Sequence, residues 1–294
     1  MAKRITIAGP GGRTIEVETA GPEKPQGTVI FHTGTPSAGT LFDAHIEAGA
    51  ARGLGHVSYA RPGYAGSERA PGRLVADCAA DVVAVADALG IERFYTVGWS
   101  GGGAHALACA ALLAERTLAA ASIAGVAPWG AAGLDYTAGM AQENIDELGA
   151  AVEGERALAA LLESQVADFA SLDGESIKST LAGFTSDVDR RALTGAMADH
   201  LALDFRRSAS SGIWGWLDDD LEWVRAWGFD LEQIESPVAI WQGGEDRFVP
   251  YAHGEWLAAH IDGARAHLLP EEGHISIVVD RYGEVLDELL AVSA

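Results

Sequence analysis

The residues able to do chemistry fall into three short strings. The first is Gly98-Trp99-Ser100-Gly101-Gly102, a Gly-x-Ser-x-Gly pattern preceded by a β-type run and followed by an Ala-rich helical stretch. A serine on a sharp strand-to-helix turn needs glycines on both sides, because side chains there would collide with the strained backbone. The amide of Gly101 then points from a helix N-terminus toward an oxyanion forming above the serine. A serine hydroxyl is a poor nucleophile until a base takes its proton, and the base needs an orienting acid. The second string, Gln242-Gly243-Gly244-Glu245-Asp246-Arg247-Phe248-Val249-Pro250, supplies the acid: Asp246, with Glu245 as its rival. The third, Pro270-Glu271-Glu272-Gly273-His274-Ile275, supplies the base. Of the nine histidines, His274 alone follows both the acid and the final strand in a Gly-containing loop. A second oxyanion donor is expected from the loop His32-Thr33-Gly34-Thr35-Pro36-Ser37.

These strings need a scaffold that brings strand ends together, and the pattern of elements provides one. Short β-type runs alternate with helical stretches from Ile5 to about Ala124, the signature of parallel βαβ construction. The alternation stops between about Trp129 and Glu232, where only helical periodicity appears. It resumes at Val238-Ala239-Ile240-Trp241 and closes with a helix through Leu290. This predicts a core domain from 1–128 and 233–294, carrying an all-helical cap at 129–232. His274 is expected in the loop before the closing helix.

With these pieces in place the chain resembles the α/β-hydrolase superfamily in its capped form, over nearly its full length. Arg61-Pro62-Gly63-Tyr64-Ala65-Gly66-Ser67 adds to the match. The resemblance implies a mostly parallel eight-stranded sheet with helices on both faces and a helical cap. The family's His-Gly-x-Pro loop appears here as Thr33-Gly34-Thr35-Pro36, with His32 displaced by one position. Matching Gly34 and Pro36 carries the oxyanion role to the amide of Thr35, with Gly34 as the alternative. The serine separates the chain from relatives with an aspartate at that turn. The leading expectation is a metal-free, cofactor-free serine hydrolase acting on a small, uncharged or weakly polar ester or lactone. Peptide cleavage, C–C bond hydrolysis, perhydrolysis or cofactor-free oxygenation with the same triad stands as the alternative, and a non-catalytic binding module as a remote one.

Other features bear on the substrate and surroundings. Trp129, Trp214, Trp216, Trp223 and Trp227 fall in or beside the cap. Trp214 and Trp216, with Trp99 on the serine turn, are the expected pocket walls. The run Asp218-Asp219-Asp220 reads as a solvated turn, with binding of a substrate amine as the sharper alternative. His105 reads as structural. Cys78 and Cys109 read as buried free thiols. A formal net charge of -22 argues against nucleic acid and anionic membrane partners. No apolar stretch has signal-peptide character at the N-terminus, so a cytoplasmic location is expected.

Overall fold

The computed structural model describes residues 2–292. In chain order the elements begin with β1 (Lys3–Ala8), β2 (Thr14–Ala20), β3 (Gly27–His32), α1 (Asp43–Ala50), β4 (Leu54–Tyr59) and α2 (Cys78–Leu89). There follow β5 (Phe94–Trp99), α3 (Gly102–Leu112) and β6 (Thr117–Ile123). Six helices then intervene: α4 (Gln142–Glu153), α5 (Glu155–Phe169), α6 (Ser176–Thr180), α7 (Asp187–Ala192), α8 (Gly195–Ala209) and α9 (Trp214–Trp223). The chain finishes with β7 (Val238–Gly243), α10 (Tyr251–His260), β8 (Arg265–Leu269), α11 (His274–Asp280) and α12 (Tyr282–Val292).

The eight strands form one sheet in the order β1-β2-β4-β3-β5-β6-β7-β8. β2 runs antiparallel to β1 and β4, and the remaining pairs are parallel. Central strands such as Val29-Ile30-Phe31 and Ala119-Ala120-Ala121 are buried because helices cover both faces of the sheet. The two faces carry separate apolar clusters, one around Val29, Val97 and Leu286, the other around Ile30, Leu107 and Ile240. Register then aligns the strand ends. His32 lies opposite Gly98, Trp99 opposite Ile123, and Ile123 opposite Trp241. Thr35, Ser100 and Asp246 on their turns, and His274 at the start of α11, are therefore delivered to one edge of the sheet, where a parallel α/β sheet places its ligands.

The structure refines one expected boundary. His274 is the first residue of α11, rather than a loop residue, and the final helical stretch is two helices, α11 and α12. Cys78 and Cys109 are free and buried. Among the described residues, no helix is long and apolar enough to cross a membrane.

Buried histidines, among them His253, His56 and His45, give the fold an acid sensitivity. His253 accepts from the Ala127 amide at Nδ1 (3.1 Å) and donates to the Tyr136 carbonyl from Nε2 (2.8 Å), so both ring nitrogens are committed to the neutral form. Burial lowers His253 and His56 to about 4, and His45 to about 3. The unfolded chain titrates these groups near the ordinary value of 6.5 and binds more protons than the folded one below it. Stability is thus whole above that value and is lost as pH falls toward the folded values. At pH 5 the loss is about 2 kcal/mol for each histidine. Melting temperature is expected to fall steeply between pH 7 and pH 5. A flat profile over that interval would contradict this account.

Candidate active site

The serine turn is held by backbone crowding. Ser100 takes φ 57, in the left-handed region that side chains disfavour. A Cβ added at Gly98 would stand 1.9 Å from the Gly102 carbonyl oxygen, and one at Gly102 would stand 2.1 Å from the His32 carbonyl oxygen. Both glycines of the motif are therefore required where β5, the turn and β3 press together. The Ser100 amide donates to the Ile123 carbonyl (2.9 Å), tying the turn to β6.

His274 and Asp246 meet beside this turn. His274 Nδ1 lies 2.8 Å from Asp246 Oδ2, and both side chains are buried. The other carboxylate oxygen, Oδ1, accepts from the amides of Phe248 (2.8 Å) and Val249 (2.9 Å), while Gln242 Nε2 donates to Oδ2 (3.1 Å). Burial pushes the Asp246 carboxyl up, against the opposing pull of His274 and these donors. Glu245 is exposed, which separates it from Asp246 as partner of the imidazole. Phe248 stacks on the His274 ring at 4.5 Å, and Trp99 Nε1 donates to the His274 carbonyl (3.0 Å).

A further carboxylate, from the helical segment between β6 and β7, fixes the backbone of His274. Asp189 Oδ1 accepts from the amides of Ile275 (2.7 Å) and Ser276 (3.1 Å), and Oδ2 from that of His274 (3.2 Å). These are the orphan donors of the first turn of α11, which a buried anion satisfies well. Sequence reasoning missed Asp189, since nothing local marks its partners 85 to 87 positions away.

The loop after β3 lies against the serine: a Cβ at Gly34 would stand 3.1 Å from Ser100 Cβ. Arg61 fixes its conformation from behind. Nη1 donates to the Thr33 carbonyl (2.7 Å) and Nη2 to the Gly34 carbonyl (2.6 Å). In a trans peptide the following N–H opposes the carbonyl, so the Thr35 amide points away from Arg61. The Thr35 hydroxyl donates to Asp219 Oδ2 (2.6 Å).

Asp219 anchors this arrangement, and here the structure corrects the sequence reading. Asp218, Asp219 and Asp220 are at most 3% exposed, so the run is a buried charge cluster and not a solvated turn. Asp219 accepts from Arg61, Arg73 and Tyr64 (2.9 Å) as well as Thr35. Burial opposes its ionisation, but the two guanidinium groups outweigh burial and hold its carboxyl below the usual carboxylate range. Arg69 forks onto Asp218 (2.8 and 2.9 Å). Arg73 also pairs with Glu222, which binds His105 Nε2 (2.9 Å), so His105 has the structural setting expected of it.

Arg61→Lys tests the role of this network. A lysine ammonium cannot span two carbonyls and Asp219 in one plane. The variant is expected to lose about a hundredfold in kcat, the effect of a displaced oxyanion donor, with KM moving far less. A change confined to KM, or one accounted for by lost folded protein in a melting curve, would refute this role.

Two cavities open on Ser100. The first, with ≈ 700 Å³ of free space including its open mouth, is walled by Trp99, His274, Phe42, Phe248 and Ile275, and by Leu181, Met197, Leu201 and Phe205 from the helical segment. Met197, Leu201 and Phe205 recur every fourth residue along α8, one helix face, and that spacing was the available signal for them. The second cavity, ≈ 560 Å³, is lined by Ser100, Gly101, Thr35, Tyr136, Trp223, Phe248, Glu147 and Asp220. Trp99 is at the site as expected, but Trp214 and Trp216 are not. Trp214 is 44% exposed and lies under the Arg69 guanidinium at 4.4 Å. Trp216 is buried in the core of the helical segment against Phe169, donating Nε1 to Glu147 (3.0 Å). Trp223 is the tryptophan of α9 that faces the serine.

Comparison with known proteins agrees with this architecture. The family model for the alpha/beta hydrolase fold matches residues 27–280. The chain belongs to that family, and is a hydrolase by that membership. No curated protein matches the chain. Among solved structures it is similar to the enol-lactonase from Burkholderia xenovorans LB400, at 19% identity and a TM-score of 0.71, covering 98% of this chain and 100% of that one. It is likewise similar to a thermophilic esterase from Thermogutta terrifontis (18% identity, TM-score 0.70, 99% and 100% covered). A bromoperoxidase from Bacillus anthracis gives 20% identity, a TM-score of 0.70, and 98% and 100% coverage. Identities this low speak for a shared fold.

Proposed function

We propose that the chain is a serine hydrolase that cleaves a carboxylic ester or lactone through an acyl-enzyme on Ser100. The observation that carries this reading is the buried His274–Asp246 pair at 2.8 Å, whose histidine lines the same cavity as a serine held at φ 57. Ser100 Oγ attacks the carbonyl carbon as His274 Nε2 takes its proton. Asp246 keeps the proton of Nδ1 in place and balances the imidazolium. The amides of Gly101 and Thr35 receive the developing oxyanion. The leaving alcohol takes the proton back from His274, and water repeats the sequence to release the acid.

The apolar walls of the first cavity suit the hydrocarbon part of such a substrate. The helices between β6 and β7 act in this reading as a cap, since α8 supplies one wall and Asp189 reaches the helix that carries His274. A serine-directed fluorophosphonate is expected to label the protein once, at Ser100. p-Nitrophenyl esters of graded chain length are expected to turn over with a burst of nitrophenol equal to the enzyme. Absence of both labelling and ester turnover would overturn the proposal.

A further inference from the structure

We propose that Glu147 and Asp220 form a subsite for a protonated amine, so placed that a substrate whose carbonyl lies at Ser100 sets its ammonium group between the two carboxyls. The proposal rests on the serine-hydrolase reading for the position of the carbonyl, and on independent features for the amine. Asp220 belongs to α9, whose other acids all have basic partners: Asp218 with Arg69, Asp219 with Arg61 and Arg73, Glu222 with Arg73. Asp220 has none. It is 3% exposed, its Oδ2 is buried, and no donor reaches that atom.

The group opposite is a second acid. Glu147, on α4, stands within hydrogen-bonding reach of Asp220, and its Oε1 is oriented by Trp216 Nε1. Two facing carboxyls cannot both be ionised and dry without something positive between them. A shared proton is one solution, and burial together with the facing acid pushes Asp220 up accordingly. A bound ammonium is the other, since it donates to both carboxyls at once.

The surroundings favour the ammonium. The cavity lined by both acids is lined also by Ser100, Gly101 and Thr35, and by no basic side chain. Tyr136 and Trp223 line it with aromatic rings, which attract a cation. A metal ion would be poorly served by two carboxyls, and among the described residues no group of three or more His, Cys, Asp or Glu side chains is arranged to hold one. The amine alternative raised by the acidic run thus survives in altered form: Asp220 carries it, while Asp218 and Asp219 are occupied by arginines.

The test is binding of n-butylammonium against its neutral counterpart 1-butanol, read through tryptophan fluorescence, because Trp223 walls the cavity. The wild type is expected to bind the ammonium at least about tenfold more tightly, as a charge-assisted hydrogen bond should. Asp220→Asn and Glu147→Gln are each expected to bring that ratio close to one. Equal binding of the two probes by the wild type would overturn the proposal, as would a ratio undiminished in both variants. Because the readout is binding, the hydrolase reading can fail, by absence of both labelling and ester turnover, while preferential binding of the ammonium still stands or falls by itself.

Discussion

Ser100→Ala is expected to lower kcat by about 10⁶, the scale on which loss of a triad nucleophile acts, with no loss of folded protein. The first half follows from chemistry. Without Oγ no acyl-enzyme forms, and the residual rate comes from oxyanion donors and binding alone. The second half follows from the turn. Ser100 sits at φ 57 because β5, β3 and α3 converge there, as the contacts that Gly98 and Gly102 would make show. Alanine meets the same left-handed penalty as serine and keeps the hydrogen bond from its amide to the Ile123 carbonyl, so melting temperature should hardly move. Ser100→Gly separates the two effects. It is equally inactive, but it escapes a penalty of about 1–2 kcal/mol for a side chain in that conformation, part of which the freer unfolded chain takes back. The glycine variant should melt at or above the alanine one. Activity retained in either variant would refute the covalent mechanism. A glycine variant clearly less stable than the alanine one would show that the turn carries no such strain.

The sequence disclosed the features whose causes are local. Gly98, Ser100 and Gly102 are legible because a turn this crowded admits few residues, and because a β-type run and a helical run flank them. Asp246 and His274 are legible because each follows a sheet strand, and parallel strands deliver their C-terminal ends to one edge. The buried charges were not legible, for a physical reason. Three consecutive aspartates normally face water, since burying each needs a compensating cation. The residues that compensate Asp218 and Asp219, namely Arg61, Arg69 and Arg73, lie 146 to 158 positions earlier in the chain. Only the folded helical segment brings α9 against the strand β4 loop that carries Arg61. The same distance hid Asp189. Trp214 and Trp216 illustrate the converse error. Side chains two apart on a helix diverge in direction, so one reaches solvent and the other the interior of the segment, whereas Trp223 reaches the serine.

Asp246→Asn is expected to lower kcat by about 10⁴, and the hydrogen bonds around the carboxylate explain why so small a change should act so strongly. Oδ1 accepts two backbone amides, those of Phe248 and Val249. An asparagine must keep its carbonyl oxygen there, because an NH₂ group would oppose two fixed donors. Its NH₂ is thereby forced into the place of Oδ2, facing His274 Nδ1 at the 2.8 Å position. Nδ1 then becomes an acceptor and the ring proton moves to Nε2, the nitrogen that takes the proton of Ser100 in the proposed mechanism. The imidazole is held in place but in the wrong tautomer. Gln242 is disturbed as well: its Nε2 donates both to Asp246 Oδ2 and to the Val249 carbonyl (2.8 Å), and the new NH₂ opposes it. A loss of about 1–3 kcal/mol in stability should accompany the loss of rate, the scale of an unsatisfied buried donor. Glu245→Gln provides the contrast, since that side chain is exposed beside the turn, and less than about a tenfold change in kcat, under 1.4 kcal/mol of barrier, is expected of it. Single-turnover acylation by a p-nitrophenyl ester separates the rate effect from folding. Equal losses in the two variants, or a larger one at Glu245, would move the orienting acid from Asp246 to its neighbour and break the tautomer mechanism.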